Sequence, residues 1–151
     1  VVDAINPTIT APANITTYAN ASCTATGLAL GTPVTADNCS VTSVTNNAPS
    51  PFPLGVTTVT WTVTDASGNT ATATQTVTVT DAIAPVISAP ATITANAGSN
   101  CTATVVLTAP AVSDNCTAPN SITLTNNAPA TFPVGNTTVT WRPQPAQSQR
   151  W

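Results

Sequence analysis

The run Val59-Thr-Trp-Thr-Val63 alternates apolar and hydroxylated side chains without a break. In an extended chain successive side chains point to opposite faces, so Val59, Trp61 and Val63 form one row and Thr58, Thr60, Thr62 and Thr64 the other. A helix would scatter these residues around its axis, whereas a half-buried strand sets the whole apolar row against a core. Gly55 supplies a turn ahead of the strand, and the segment Asp65-Ala-Ser-Gly-Asn69 supplies one behind it. From Thr74 to Thr80 the alternation returns, with Val77 and Val79 as its apolar row. Strand, short turn and strand predict an antiparallel hairpin.

Much of this pattern occurs twice. Phe52-Pro-Leu-Gly-Val-Thr-Thr-Val-Thr-Trp61 returns as Phe132-Pro-Val-Gly-Asn-Thr-Thr-Val-Thr-Trp141. The opening Val1-Val-Asp-Ala-Ile-Asn-Pro7 matches Val79-Thr-Asp-Ala-Ile-Ala-Pro85, and Ile9, Pro12 and Ile15 match Ile87, Pro90 and Ile93. Cys23 and Asp37-Asn-Cys39 match Cys101 and Asp114-Asn-Cys116. Length changes between the copies fall in Pro-, Gly- and Asn-rich segments, as variable loops on a fixed strand framework would place them. The chain therefore divides into repeat one, residues 1–81, and repeat two, residues 82–151, which is incomplete at its C-terminal end. Residues 1–4 belong to the end of a preceding repeat, so the 151 residues read as a slice of a longer array.

Each repeat should hold six or seven short strands, with Ile9, Pro12 and Ile15 marking one opening edge strand. Turn signals every ten residues or so, and no helical period, predict an all-β fold of tandem immunoglobulin-like β-sandwich repeats. Trp61 with Phe52, and Trp141 with Phe132, are the large side chains available to the two small cores. After Trp141 the pattern fails. Arg142-Pro-Gln-Pro145 should prevent a central strand from continuing, and residues 142–151 are expected to follow the path of 62–71 with Arg or Gln turned to the core.

Four cysteines allow three connectivities. Units of an array should be stapled internally, which pairs Cys23 with Cys39 and Cys101 with Cys116. Each bridge would close a loop of about 15 residues, worth roughly 3 kcal/mol. Disulfides place the protein outside a reducing cytosol. Without His, and without a Cys-x-x-Cys spacing, zinc is a poor reading of these residues.

The chain carries five Asp and two Arg, with no Lys, Glu or His. Everything before Arg142 is acidic or neutral, so nucleic acid is excluded as a partner, and no apolar run is long enough for membrane insertion. No catalytic residues, cofactor or metal site are expected, because the sequence offers no base for a nucleophile and its Asp residues fall one to a turn or joint. The Asp residues should cap turns. A weak Ca²⁺ site at the joints, from Asp3 or Asp81 beside Asp65, is the sharper alternative.

With these residues in view, each unit resembles the HYR (hyalin) repeat, an immunoglobulin-like module. The matching features are Asp-x-x-x-Pro at the joint, Asp-Asn-Cys, and Phe-Pro-Val/Leu-Gly-x-Thr-Thr-Val-Thr-Trp. This Thr- and Val-rich version resembles the arrays of very large surface adhesins of gliding and related bacteria. The resemblance implies a structural stalk or filament repeat that extends a binding tip from the cell surface, with neighbouring repeats, and neighbouring filament subunits, as partners. The alternative is an accessory glycan- or protein-binding module of a secreted hydrolase.

Overall fold

The computed structural model describes residues 3–144. Two units separate by their internal contacts, Val1–Ala82 and Ile83–Trp151. In unit one, β1 (Thr8–Thr10), β2 (Ile15–Tyr18), β3 (Thr24–Ala25), β4 (Val34–Ala36), β5 (Val41–Asn46), β6 (Phe52–Pro53), β7 (Gly55–Asp65) and β8 (Thr70–Thr80) follow one another. The expected hairpin forms over its whole length, with Gly55 opposite Val79 and Thr64 opposite Thr70. Strands β7 and β8 lie at the centre of a four-stranded sheet ordered β2-β8-β7-β5. Two shorter pairings, β1 with β4 and β3 with β6, supply the opposing layer.

The expected opening edge strand is in fact two strands. Its first half, β1, pairs antiparallel with β4, and its second half, β2, pairs parallel with β8. Pro12 stands between them, where a residue without an N–H and with a fixed φ suits a chain that leaves one sheet for another.

The core follows the alternation. Val59, Val63, Val77 and Val79 have essentially no accessible surface, Trp61 is 6% exposed and Phe52 5%. Ile9, Leu28 and Leu30 pack against this cluster, as does Ile15 from β2 in the same sheet. Among these apolar groups lies Gln75, fully buried. Its side chain accepts a hydrogen bond from Trp61 Nε1 (3.1 Å) and donates to the carbonyls of Ala13 (2.7 Å) and Leu30 (2.9 Å). One amide thus satisfies the indole and ties the hairpin to the opposite layer, where an unpaired polar group would be costly.

Unit two repeats part of this plan. Strands β9 (Val86–Ile87) and β11 (Val112–Ser113) pair as β1 and β4 do, and β10 (Thr102–Ala103) and β13 (Phe132–Pro133) as β3 and β6 do. The pair β12 (Thr123–Asn126) and β14 (Trp141–Gln144) matches β5 and β7, with Asn126 opposite Trp141 as Asn46 is opposite Trp61. No described residue takes the place of β8. Residues 136–140 are accordingly not in a strand, although Thr137-Thr-Val-Thr140 repeats Thr57-Thr-Val-Thr60 letter for letter. In unit one the Thr57–Thr60 segment hydrogen-bonds along its length to β8. Ile93, the counterpart of Ile15, is likewise outside any strand and 48% exposed, since β2 draws its pairing from β8. A cavity of about 920 Å³ opens where the closing strand would lie, lined by Ile93, Val105, Leu107, Phe132, Val139 and Trp141 among others.

Pro143 lies within β14, which is not a central strand. Among the described residues β14 pairs with β12 alone, so it behaves as an edge strand and tolerates a missing N–H. Residues 142–144 do follow the register of 62–64, but Arg142 and Gln144 are exposed while Pro143 occupies the inward row. The expected core-facing Arg or Gln is not found there, and residues 145–151 lie outside the described part of the chain.

Candidate functional site

Three turns of unit one converge at the end where β7 gives way to β8. Each is shaped by an Asp whose carboxylate accepts nearby backbone N–H groups. Asp3 takes the N–H of Ile5 (3.0 Å) on Oδ1. Asp37 takes those of Cys39 (2.9 Å) and Ser40 (3.0 Å) on Oδ2. Asp65, 2% exposed, takes those of Ser67 and Asn69 (both 2.8 Å) on Oδ1 and the Asn69 amide (2.7 Å) on Oδ2. The same Asn69 amide reaches the carbonyls of Asp3 (3.1 Å) and Ile5 (3.3 Å), which ties the first turn to the third. The expected role of Asp as a turn cap is what the geometry displays.

The result is a cluster: one carboxylate oxygen from each of Asp3, Asp37 and Asp65 lies within 4.8 Å of the others. Oδ2 of Asp3 and Oδ1 of Asp37 are shielded from solvent and have no hydrogen-bond partner. The backbone N–H of Ile5 and then the Cys39 thiol hold the Asp3 carboxyl below its ordinary range. Burial pushes Asp65 up, but the Asn69 side chain and the N–H groups of Asn69, Ser67 and Gly68 outweigh it, and the net displacement is downward. The Cys39 thiol is raised, first by its hydrogen bond to Asp3, then by burial and by the charges of Asp3, Asp37 and Asp65. Chemically this is an all-oxygen, anionic pocket of the kind that suits a hard cation rather than a soft one, though Asp65 has both oxygens already occupied. Asp3 and Asp65 were paired in the sequence reading; Asp37 was not. Its only signal was membership of the repeated Asp-Asn-Cys motif.

Asp81, placed in the alternative calcium reading as the counterpart of Asp3, is buried at 8% exposure. In unit two Asp114 repeats the Asp37 turn, accepting the N–H groups of Cys116 (2.9 Å) and Thr117 (2.7 Å), and its Oδ2 is also shielded and unpartnered.

The cysteines correct the sequence reading. Cys23 and Cys116 are disulfide-bonded, whereas Cys39 and Cys101 are free and exposed. The internal pairing of Cys23 with Cys39 fails on topology. Cys23 immediately precedes β3, whose Thr24 lies opposite Pro53, and the turn it closes follows the hydrogen bond from Ala19 N–H to the Thr80 carbonyl (2.8 Å). Cys39 precedes β5, whose Val41 lies opposite Asp65. The two cysteines therefore sit towards opposite ends of the β7–β8 hairpin. Gly55 and Asp65 are ten residues apart along β7, about 33 Å of strand, against the Cα separation of about 4.4–6.8 Å that a disulfide needs. Repetition of the cysteines was visible in the sequence, but not which end of the fold each one occupies.

A family model for the HYR domain matches the chain twice, over residues 2–79 and 80–147. No curated protein matches it.

Proposed function

Because this chain belongs to the HYR domain family, whose members are extracellular repeat modules, we propose that it is a length of structural stalk in a surface adhesin, holding a binding tip away from the cell. The observation that carries this reading is the path of the chain through unit one. It comes in beside Asp65, at Asp3, and goes out after Thr80, beyond the opposite end of the same long hairpin. A module whose ends lie far apart adds its own length when repeated, and one whose core is self-contained folds without help from distant neighbours. The short joint Asp81-Ala-Ile-Ala-Pro85 gives little slack between modules. No helix among the described residues is long and apolar enough to cross a membrane. The outward rows of Thr on β7 and β8 provide a hydroxylated surface rather than a pocket, which suits a spacer.

The test is electron microscopy of proteins carrying increasing numbers of these repeats. A stalk predicts that contour length grows by a constant increment per repeat. Particles whose longest dimension stays nearly constant as repeats are added would refute the reading.

A further inference from the structure

We propose that the outward face of the sheet formed by β5, β7 and β8 binds ice. Its ligand is the tetrahedrally hydrogen-bonded water of a crystal surface, and the groups that hold it are threonine hydroxyls set in pairs across the strands.

The face is a lattice. Register sets the outward Thr residues of β7 and β8 directly opposite one another in four successive pairs, from Thr58 with Thr76 to Thr64 with Thr70. Strand β5 adds a third column, with Thr45 opposite Thr62 and Ser43 opposite Thr64. Side chains opposed in this way have Cβ atoms about 4.5–5.5 Å apart, and rows two residues apart along a strand repeat at about 6.7 Å. A water bonded to two neighbours at about 2.75 Å, in tetrahedral geometry, sets those neighbours about 4.5 Å apart. Two opposed hydroxyls therefore stand as the two neighbours of one water, and the same step recurs at each pair down the hairpin. The match is made pair by pair, so the twist of the sheet between rows does not remove it. Branching at Cβ restricts χ1, which holds the hydroxyls in place instead of letting them turn with the solvent.

The face is also neutral. Both Arg of the chain lie beyond unit one, which has no Lys, Glu or His. Of its Asp residues, Asp65 and Asp81 are buried, and Asp3 and Asp37 meet Asp65 at the turn end of the hairpin. A charged side chain would orient the water around itself and break tetrahedral order, whereas hydroxyls, donors and acceptors at once, continue it. Among the described residues, Thr80 has the one hydroxyl on β7 and β8 that donates within the protein, to the Thr17 carbonyl (3.3 Å). The others keep their capacity for water. Other occupants fit less well. A polysaccharide platform would stack sugar rings on aromatic side chains, and the one aromatic on this face among the described residues is Tyr18, opposite Thr80 at its far corner. A second copy would need an apolar interface core, which rows of Thr do not supply. A neutral lattice of hydroxyls is complementary to a neutral lattice of water.

The test is partition of the 151-residue chain into slowly growing ice, with protein measured in the melted ice and in the remaining liquid. The wild type should enter the ice, where an unrelated soluble protein is excluded by the advancing front. Thr62→Lys with Thr72→Lys puts two charges in the middle of the face and should abolish incorporation. Thr10→Lys, on an exposed position of the opposing layer, should leave it unchanged. Urea unfolding checks that each variant is folded. Should the Lys pair prevent folding, Thr62→Val with Thr72→Val keeps the branched shape while removing one hydroxyl pair, and should lower incorporation. Exclusion of the wild type from ice would overturn the proposal, as would a folded Lys-pair or Val-pair variant that enters the ice like the wild type. Exclusion from ice together with retention on cellulose or chitin would assign the face to a sugar and overturn it too. The stalk reading is judged separately, since contour length per repeat does not depend on what this face binds.

Discussion

Replacing Gln75 separates the polar contribution to the core of unit one from the apolar one. Gln75→Met keeps most of the volume but removes both the acceptor for Trp61 Nε1 and the donor to Ala13 and Leu30. The indole N–H is left in a buried site, where an unsatisfied group costs about 1–3 kcal/mol; the two carbonyls are part-buried and cost less, about 1 kcal/mol together. Gln75→Met should therefore destabilise the unit by roughly 2–4 kcal/mol, and Gln75→Ala by about 1–2 kcal/mol more, through the cavity it leaves. A domain of this size has about 4–12 kcal/mol in total, so either change is readable. The assay is urea unfolding followed by Trp61 fluorescence in a background with Trp141 and Trp151 changed to Phe. If Gln75→Met costs under 1 kcal/mol, or proves stabilising, the amide is not the tie between the layers that its three hydrogen bonds imply.

Trp61→Ala should cost about 3–5 kcal/mol in thermal or urea unfolding. Trp141→Ala should cost clearly less, because Trp141 is only half-buried beside an open cavity. A peptide with the sequence of β8, Thr-Ala-Thr-Ala-Thr-Gln-Thr-Val-Thr-Val-Thr, should raise the unfolding temperature of unit two and quench or shift Trp141 fluorescence, whereas the same peptide with both Val changed to Asp should not. Asp3 and Asp65 both have folded-state carboxyls held below their unfolded values. Their contribution is present above the unfolded pKa and lost as pH falls through the lower folded one, so the melting temperature of unit one should fall on acidification below about pH 4. In Asp65→Asn that acid-side fall should be shallower, which differential scanning calorimetry across pH 2–6 can measure.

The hairpin, its inward row and the tandem organisation were legible because a period of two and a copied motif are properties of neighbouring letters. Gln75 was not legible: it occupies an apolar row, and only the fold brings Trp61, Ala13 and Leu30 around it. The switch at Pro12 was read as an edge signal, since Pro suits an edge and a crossing equally well. The failure of Thr137–Thr140 to form a strand shows the limit of periodicity most clearly. Its alternation matches Thr57–Thr60, yet a strand needs a partner for its N–H and C=O groups. Of the acidic cluster, Asp3 and Asp65 could be paired from the joint and the turn, while Asp37 required β4 to be laid beside β1.

Strand β2 runs parallel to β8, with Ile15 opposite Val77 and Tyr18 opposite Thr80. One of these strands lies near the start of unit one and the other at its finish, so a pull on the two ends draws them past each other along their length. Load then falls on the inter-strand hydrogen bonds as shear, shared among all of them, instead of peeling them one after another. Rupture under tension would require several bonds to fail together, with Val77 and Val79 dragged out of the apolar layer in the same step. For a repeat loaded from its two ends, that arrangement makes resistance to force a property of four residue pairs.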